Sequence, residues 1–174
     1  MPRSLILVGP MGAGKTTIGK ALSERLHLPF KDIDHMVVES TGADIPWIFD
    51  VEGELGFRKR ETHALQEALH GEPSVIATGG GIVTQEANRQ LLKEAGGVVF
   101  LCATVAQQLS RTRKDKNRPL LQKGNPEEIL TNLMAVREPW YREVADFVIE
   151  TNRMKPKTVV NAIIEYWHRA ATVA

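Results

Sequence analysis

Cysteine is nearly absent from this sequence. The single thiol, Cys102, stands in the apolar run VVFLC, so no internal disulfide can form. We expect Cys102 to act as a small buried apolar residue and the protein to occupy a reducing compartment. Scarce cysteine thus argues against the class of small secreted domains that disulfides hold together.

An excess of charge of one sign is also missing. The chain has 22 Lys and Arg residues against 21 Asp and Glu residues, a net charge of +1. No overall field therefore attracts nucleic acid or an anionic membrane. The basic stretch RTRKDKNR (111–118) lacks the interleaved aromatic residues that are typical of a nucleic-acid site. We expect neither nucleic acid nor a membrane among the partners.

Long apolar runs, low-complexity tracts and internal repeats are missing as well. No run approaches the roughly 20 apolar residues that a membrane span needs, and the early run LILVG lacks the pattern of a signal peptide. The composition, 43% hydrophobic and 25% charged, is that of a globular protein. We expect a single cytoplasmic domain over residues 1–174.

Short apolar runs rich in β-branched residues alternate with segments of helical periodicity. These runs occupy residues 4–9, 28–34, 74–78, 97–102 and 145–150. The alternation predicts an α/β fold with a parallel sheet and helices on both faces. Two segments depart from it: residues 35–70 are long and helical, and residues 111–126 are polar, basic and interrupted by prolines. We expect function in these two segments.

The clearest motif, GPMGAGKTT (9–17), directly follows the first predicted strand and opens a helix. Its Gly9-x4-Gly14-Lys15-Thr16 core has the spacing of a phosphate-binding loop. Glycines let backbone N–H groups turn toward phosphate oxygens, and the helix N-terminus favours an anion. Lys15 can reach the β- and γ-phosphates, and the Thr16 hydroxyl can join the Mg²⁺ shell. The motif predicts ATP or GTP with Mg²⁺ but does not identify the phosphate acceptor.

Two aspartates end the second predicted strand, Asp32 and Asp34 in DID. Ligands of open α/β sheets bind at the carboxyl ends of the strands, and alternation along a strand would place both carboxylates on one side. One could lean toward the metal while the other orients an acceptor hydroxyl and takes its proton. A helix N-cap at Asp34 is the alternative.

Arg58 in GFRKRE and Arg137 in AVREPWY are candidates for binding an anionic acceptor, because a guanidinium fork can hold a carboxylate bidentately. A solvent-exposed helix face is the simpler explanation for each. The glycines of TGGGI, Gly79 to Gly81, follow the third predicted strand. They indicate either a close approach of the backbone to a ligand or neighbouring chain, or a loose turn.

Taken together, these motifs resemble the shikimate kinase family. The segments GPMGAGKTT, DID, FRKRE, TGGG, NRPLL and R-x-P-x-Y (Arg137, Pro139, Tyr141) occur in that family's order and spacing across nearly the whole chain. The resemblance implies transfer of phosphate from ATP to the 3-hydroxyl of shikimate, a step toward chorismate and the aromatic amino acids. It also implies a three-layer P-loop NTPase fold of the nucleoside-monophosphate-kinase branch, with a five-stranded parallel sheet and a lid.

The resemblance implies a role for each candidate residue. Asp34 would bind the shikimate hydroxyls and is the best candidate for the base, and Lys15 and Arg118 would stabilise the transferring phosphate. Thr16 and Asp32 would hold Mg²⁺. The shikimate contacts would be Asp34, Arg58, Gly79, Gly80, Gly81 and Arg137. The ATP contacts would be Gly12, Ala13, Gly14, Lys15, Thr16, Thr17, Arg111, Arg118, Arg153 and Met154.

Two segments would frame this site. One is a substrate-binding insertion at about residues 34–61, and the other is a lid at about residues 112–125. The lid would close over the phosphates, exclude water and deliver Arg118. The apolar walls of the acceptor pocket would be Trp47, Phe49 and Phe57, although such residues are more often plain core.

Two alternatives stay open at this point. A gluconate kinase or another small-molecule kinase would also hold a carboxylate and hydroxyls, although DID, FRKRE and TGGG favour shikimate. A P-loop protein that binds nucleotide without turnover is the other alternative, and intact Lys15, Thr16, Asp34 and Arg118 argue against it. We expect a monomer with ATP and shikimate as its small-molecule partners and Mg²⁺ as cofactor.

Overall fold

The fold consists of five short strands and the helices that connect and follow them. The computed structural model describes residues 3–113, 119–121 and 124–173. Its strands are Leu5–Val8 (β1), Phe30–Asp32 (β2), Val75–Ala77 (β3), Val98–Cys102 (β4) and Phe147–Glu150 (β5). Its helices are Lys15–Leu26 (α1), Ile33–Thr41 (α2), Ile45–His70 (α3), Glu86–Ala95 (α4), Val105–Thr112 (α5), Pro126–Val144 (α6) and Pro156–Val173 (α7). None of the helices in these described ranges has the length and apolar character needed to cross a bilayer.

The strands form one parallel sheet in the order β2-β3-β1-β4-β5. The central strand β1 pairs with β3 on one side and with β4 on the other. Every residue of β1 is fully buried, as expected for a parallel strand covered on both faces. The predicted sheet and its strand positions are confirmed, and each strand is shorter than the predicted run at one or both ends.

Alternate residues of β1 serve two apolar layers. Ile6 and Val8 pack in a cluster with Tyr141 and with residues of α3 and α4. Leu5 and Leu7 face the other way and pack with residues of α1 and α7. Successive side chains of a strand point to opposite faces, so one short apolar run supplies both layers. Helices therefore cover both faces, and the predicted three-layer arrangement is confirmed.

Cys102 ends β4 at the margin of the layer that contains Tyr141. Its side chain is half-buried, and burial raises the pKa of its thiol to about 11. The expectation of a buried apolar residue is met in part, because this end of the sheet opens onto a surface cavity that Cys102 lines.

The region between β2 and β3 is helical, as predicted. Asp32 is the N-cap of α2, where its Oδ1 accepts a hydrogen bond from the His35 N–H at 3.2 Å. Asp44 caps α3 in the same way. Helix α3 consists of two pieces joined at Gly53, whose φ of 73° and ψ of 177° interrupt the helix. A positive φ of this kind favours glycine.

Candidate active site

The loop between β1 and α1 forms a pocket for an anion. Gly12 and Gly14 have positive φ angles of 79° and 92°, which glycine adopts without strain. Gly14 is the N-cap of α1, and the first turn of that helix contains neither a side-chain cap nor an acidic residue from the described chain. The helix dipole and the N–H groups of this turn therefore favour a bound phosphate.

Two side chains at the start of α1 lie beside this pocket. Lys15 is only 9% exposed, and its Nζ donates to the carbonyls of Gly9 at 2.6 Å and Pro10 at 2.8 Å. The Thr16 hydroxyl donates to Asp32 Oδ2 at 3.2 Å. The lysine is thus folded back over the loop, and the threonine hydroxyl and the aspartate carboxylate stand side by side.

A cavity of about 250 Å³ opens over the loop and is called the phosphate cavity below. Its lining residues are Gly12, Gly14, Lys15, Thr16, Thr17, Asp32, Asp34, Thr78, Gly79, Gly80 and Arg111. Arg111 comes from α5, and its Nη1 donates to the Gly12 carbonyl at 2.7 Å. The predicted residues of the loop and Arg111 are therefore brought together around one space.

A second cavity, of about 230 Å³, adjoins the first and shares Gly14, Thr17 and Arg111 with it. Ala13 lines it as well, and its apolar lining includes Met154 from the loop that follows β5. This volume and apolar lining suit a nucleotide base. Arg153 is exposed, has a φ of 60° and does not line this cavity.

Thr16 and Asp32 offer hard oxygen ligands at the edge of the phosphate cavity. The described residues contain no group of three or more His, Cys, Asp or Glu side chains that could hold a metal ion. A Mg²⁺ ion bound to a nucleotide needs few protein ligands, because phosphates and waters supply the rest. The hydroxyl and the carboxylate, 3.2 Å apart, fit that requirement.

Asp34 lies in a helix rather than at the end of a strand, which corrects the sequence-based expectation. Strand β2 ends at Asp32, and Asp34 stands in the first turn of α2. The N-cap alternative for Asp34 is also wrong, because Asp32 occupies that position and starts the helix immediately after the strand. Both aspartates still line the phosphate cavity.

A small cavity of about 50 Å³, the acceptor cavity, adjoins the phosphate cavity. Its polar lining contains the expected shikimate contacts Asp34, Arg58, Gly79, Gly80, Gly81 and Arg137. Its apolar lining consists of Met11, Ile45, Phe49, Phe57, Pro119 and Leu120. Trp47 does not line it and is 60% exposed. The expectation for Trp47 is wrong. Trp47 lies two residues before Phe49, about 200° around the same helix, so its side chain faces away from the cavity that Phe49 lines.

Arg58 and Arg137 are both buried, at 5% exposure each, so the solvent-exposed explanation is wrong for them. Arg58 Nη1 pairs with Glu61 at 3.0 Å, and its Nη2 pairs with Glu54 at 3.3 Å. Burial lowers the pKa of the Arg137 guanidinium. Two buried guanidinium groups that line one cavity make it suitable for a carboxylate.

The glycine run gives these charged side chains room. A Cβ at Gly81 would lie 2.3 Å from both Nη atoms of Arg58, and a Cβ at Gly79 would lie 2.9 Å from Asp34 Oδ1. The Gly80 carbonyl accepts a hydrogen bond from the Tyr141 hydroxyl. The run is therefore a place of close approach between the backbone and side chains of α2, α3 and α6.

Glu61 and Tyr141 belong to the motifs FRKRE and R-x-P-x-Y, but they were not among the site residues predicted from the sequence. Glu61 is fully buried, and burial raises the pKa of its carboxyl to about 7 against the lowering effect of Arg58. Tyr141 is also fully buried, and burial raises its pKa to about 12. Helical spacing was the available signal, because Glu61 follows Arg58 by three residues and Tyr141 follows Arg137 by four.

The predicted lid is described only in part. Arg118 lies outside the described residues, as do the other positions of 114–118 and 122–123. Pro119 and Leu120 line the acceptor cavity, and Leu121 packs with Met11 and Leu130. The chain just after Arg118 is therefore anchored between the phosphate loop and α6.

The two cavities share Asp34, Gly79 and Gly80. A molecule in the acceptor cavity would therefore present its groups to the terminal phosphate of a nucleotide in the phosphate cavity. Phosphoryl transfer between two small molecules depends on this kind of positioning. The fold and the site together define a P-loop kinase that acts on a small molecule.

Comparison with known proteins narrows this class to one family. The shikimate kinase family model matches residues 11–168. A shikimate kinase of Pseudomonas aeruginosa is 57% identical over 162 residues, which cover 93% of this chain and 94% of that protein. The solved shikimate kinase of Acinetobacter baumannii in complex with shikimate is 49% identical, with a TM-score of 0.94 over 98% of this chain and 95% of the other. The chain belongs to the shikimate kinase family, as its motifs predicted.

A gluconokinase from Sinorhizobium meliloti also resembles the structure, with a TM-score of 0.62 over 98% of this chain and 94% of the other. Its sequence identity is 17%, so the likeness concerns the fold alone. The likeness to a gluconokinase therefore shows a shared fold and does not indicate that this chain binds gluconate.

Proposed function

We propose that this protein transfers the γ-phosphate of ATP to the 3-hydroxyl of shikimate, giving shikimate 3-phosphate and ADP. Membership of the shikimate kinase family supports the enzyme class and the acceptor. The observation that carries the residue-level proposal is that Asp34, Gly79 and Gly80 line both cavities. A hydroxyl group held beside Asp34 is thereby next to the place where the γ-phosphate would lie.

Arg58 and Arg137 bind the shikimate carboxylate in this proposal. Both guanidinium groups are buried and line the acceptor cavity, where low polarity strengthens a charge-assisted hydrogen bond. The backbone of Gly79 to Gly81 lies along the same cavity and can bond the ring substituents. Specificity for a small hydroxylated acid follows from this arrangement.

Asp34 orients the 3-hydroxyl and accepts its proton. The hydroxyl oxygen forms a bond to the γ-phosphorus while the bond from that phosphorus to the β–γ bridging oxygen breaks, and ADP leaves with that electron pair. The proton passes from the hydroxyl to Asp34 and then to solvent. A positioned carboxylate in this role contributes typically about 10²- to 10⁴-fold in rate.

Lys15 and Arg118 stabilise the charge of the transferring phosphate. Lys15 Nζ now contacts the carbonyls of Gly9 and Pro10, and it turns to the β- and γ-phosphate oxygens when ATP binds. Arg118, which lies outside the described residues, keeps the role of lid arginine that the family resemblance implies. Thr16 and Asp32 would hold Mg²⁺, which supplies positive charge to the phosphate groups when it is bound.

Several features stay predictions from the sequence. These are the single domain over residues 1–174 with an insertion at about 34–61 and a lid at about 112–125, the monomeric state, the cytoplasmic location and an adenine contact by Arg153. Analytical ultracentrifugation with and without ATP and shikimate would test the monomer directly.

A coupled assay of ADP release tests the proposed function. The full chain is mixed with ATP, Mg²⁺ and one acceptor from a panel of shikimate, gluconate and several nucleoside monophosphates. We expect turnover with shikimate alone, and none when Lys15 is replaced in a Lys15→Met variant. Turnover with another acceptor would overturn the specificity, and ATP binding without turnover on any acceptor would favour a nucleotide-binding protein without kinase activity.

A further inference from the structure

Glu61 is a buried carboxylic acid to which the proposed reaction gives no role. Its side chain lines the acceptor cavity at 0% exposure. Oε1 accepts from Arg58 Nη1 at 3.0 Å, whereas Oε2 has no hydrogen-bond partner among the described residues. An ionised carboxylate with one buried oxygen left unbonded is costly, so this position favours the neutral form of the acid.

The charges around Glu61 come from three helices. The groups that face it or its arginine partner are Glu54 and Arg58 on α3, Asp34 on α2, and Arg137 and Tyr141 on α6. Tyr141 is neutral near pH 7, as an ordinary tyrosine is, and burial raises its pKa further, to about 12. With Glu61 ionised, carboxylates outnumber guanidinium groups here. With Glu61 protonated, the two kinds of charge balance.

An acceptor that carries a carboxylate adds one more negative charge to this cavity. It also competes with Glu61 for Arg58, whose Nη1 is already bonded to Glu61 Oε1. A protonated Glu61 can still accept that bond through one oxygen, while its O–H lies on Oε2. A Cβ at Gly79 would be 3.1 Å from Oε2 and 2.9 Å from Asp34 Oδ1, so that O–H would stand on the Asp34 side.

We propose that Glu61 takes up one proton from solvent when the acceptor carboxylate binds, which leaves the charge of Arg58 available to that carboxylate. Glu61 is a positioning residue in this scheme, acting through Arg58 rather than on the reacting atoms. The inference rests on the proposed function, since it concerns how the same site receives its acidic acceptor.

The direction of the pH dependence follows from the free protein. Burial raises the pKa of the Glu61 carboxyl to about 7, so at pH 6 the acid already holds its proton and at pH 8 it has mostly lost it. A nearby negative charge raises the pKa further. Proton uptake on binding is therefore small at pH 6 and larger at pH 8, and affinity for the acceptor falls as the pH rises above 7.

Isothermal titration calorimetry of shikimate into the full chain tests this inference. Titrations are run at pH 6 in MES and in bis-Tris and at pH 8 in HEPES and in Tris, and the different ionisation enthalpies within each pair report the number of protons exchanged. We expect uptake of about half a proton or more at pH 8, little at pH 6, and a Kd about 3- to 10-fold weaker at pH 8. A Glu61→Gln variant, which can still accept from Arg58, should show no uptake and a flat Kd.

Glu54→Gln is the matched control. Glu54 pairs with the same arginine from a side chain that is 51% exposed, so its removal should leave the proton uptake intact. Binding without proton uptake at pH 8 in the native protein, or full uptake in Glu61→Gln, would overturn the role of Glu61 and leave the proposed function standing. Failure of shikimate to bind at either pH would contradict the proposed function itself.

Discussion

The donor and acceptor halves of this site are built in opposite ways. The donor half is built around one continuous segment, Gly9 to Thr17, at the start of α1, where Thr16 and Thr17 are exposed; Arg111 and Met154 join it from later in the chain. The acceptor half is made of side chains from α2, α3 and α6, among which Arg58 and Arg137 are buried at 5% exposure each. The halves meet at Asp34, Gly79 and Gly80.

This difference determines how each half responds to change. Backbone N–H groups cannot titrate or be removed by a side-chain substitution, so phosphate binding depends on loop conformation and on few side chains. Buried ionic groups depend on one another, because removing one partner leaves a charge uncompensated. We therefore expect the acceptor half to be the more sensitive to pH and to conservative substitution.

The largest expected effect lies at the junction of the two halves. Asp34→Asn should lower kcat by about 10²- to 10⁴-fold, because the amide cannot accept the hydroxyl proton. ATP affinity should change less than about 3-fold, since Asp34 does not line the cavity assigned to the nucleotide base. Rapid-quench measurement of kcat together with nucleotide binding checks both values.

Asp32→Asn is the comparison for that variant. Asp32 contacts Thr16 and caps α2, so its replacement should raise the Mg²⁺ concentration required for turnover instead of abolishing transfer at saturating Mg²⁺. Near-normal turnover in Asp34→Asn would contradict the role of Asp34 as proton acceptor. Loss of turnover in Asp32→Asn at every Mg²⁺ concentration would contradict the role of Asp32 in binding Mg²⁺.

The next effect concerns stability. The pKa of the Glu61 carboxyl is raised from 4.5 to about 7, so between these values the folded state binds more protons and the free energy of unfolding falls as pH rises. A shift of this size corresponds to about 3 kcal/mol. As the pH rises from 5 to 8, the free energy of unfolding of Glu61→Gln should therefore increase by up to about 3 kcal/mol relative to that of the native protein.

Urea unfolding at both pH values measures that difference. A constant difference between the two proteins across the pH range would mean that Glu61 is not the titrating group. The donor half gives the contrast, because its Lys15→Met variant should show the same pH dependence of unfolding as the native protein between pH 5 and pH 8.

A smaller effect distinguishes the binding of shikimate from the binding of ATP. Arg58→Lys should raise KM for shikimate about 10- to 50-fold, because a point charge replaces a bidentate fork, and should leave KM for ATP nearly unchanged. Arg60→Lys is the matched control, since Arg60 pairs with Glu52 at the surface and should shift neither value by more than about 2-fold. Equal changes in both KM values for Arg58→Lys would place Arg58 outside the acceptor site.

The smallest effect tests which residues contact adenine in the donor half. Met154 lines the cavity beside Ala13, whereas Arg153 is exposed and does not. Met154→Ala should raise KM for ATP about 3- to 10-fold through lost apolar contact, and Arg153→Ala should change it by less than about 2-fold. A larger effect at Arg153 would support the sequence-based expectation for that residue.

The strand, loop and helix of the donor half could be predicted from the sequence because they are contiguous. A strand, a glycine-rich turn and a lysine at fixed spacing specify both the local conformation and the ligand. The strand positions followed equally from short apolar runs, since each central strand must be apolar on both faces.

The acceptor half was harder to predict because its geometry depends on element boundaries and on distant packing. Asp34 was placed on a strand, but the Asp32 cap starts α2 at Ile33 and moves Asp34 onto a helix. Trp47 was placed in the pocket, but helical periodicity turns it outward. Residue type and motif made Arg58 and Arg137 candidates for the acceptor site, whereas burial of Glu61 depends on three helices converging, which no local pattern specifies.

A comparison of shikimate with its carboxamide, in which a neutral amide replaces the carboxylate, tests the role of the buried arginines directly. We expect the carboxamide to lose about 100-fold or more in kcat/KM, mainly through KM, because Arg58 and Arg137 are left buried without their anion. KM for ATP should be the same with either acceptor. Equal kcat/KM values for the acid and the amide would contradict the claim that this buried arginine pair selects the acceptor.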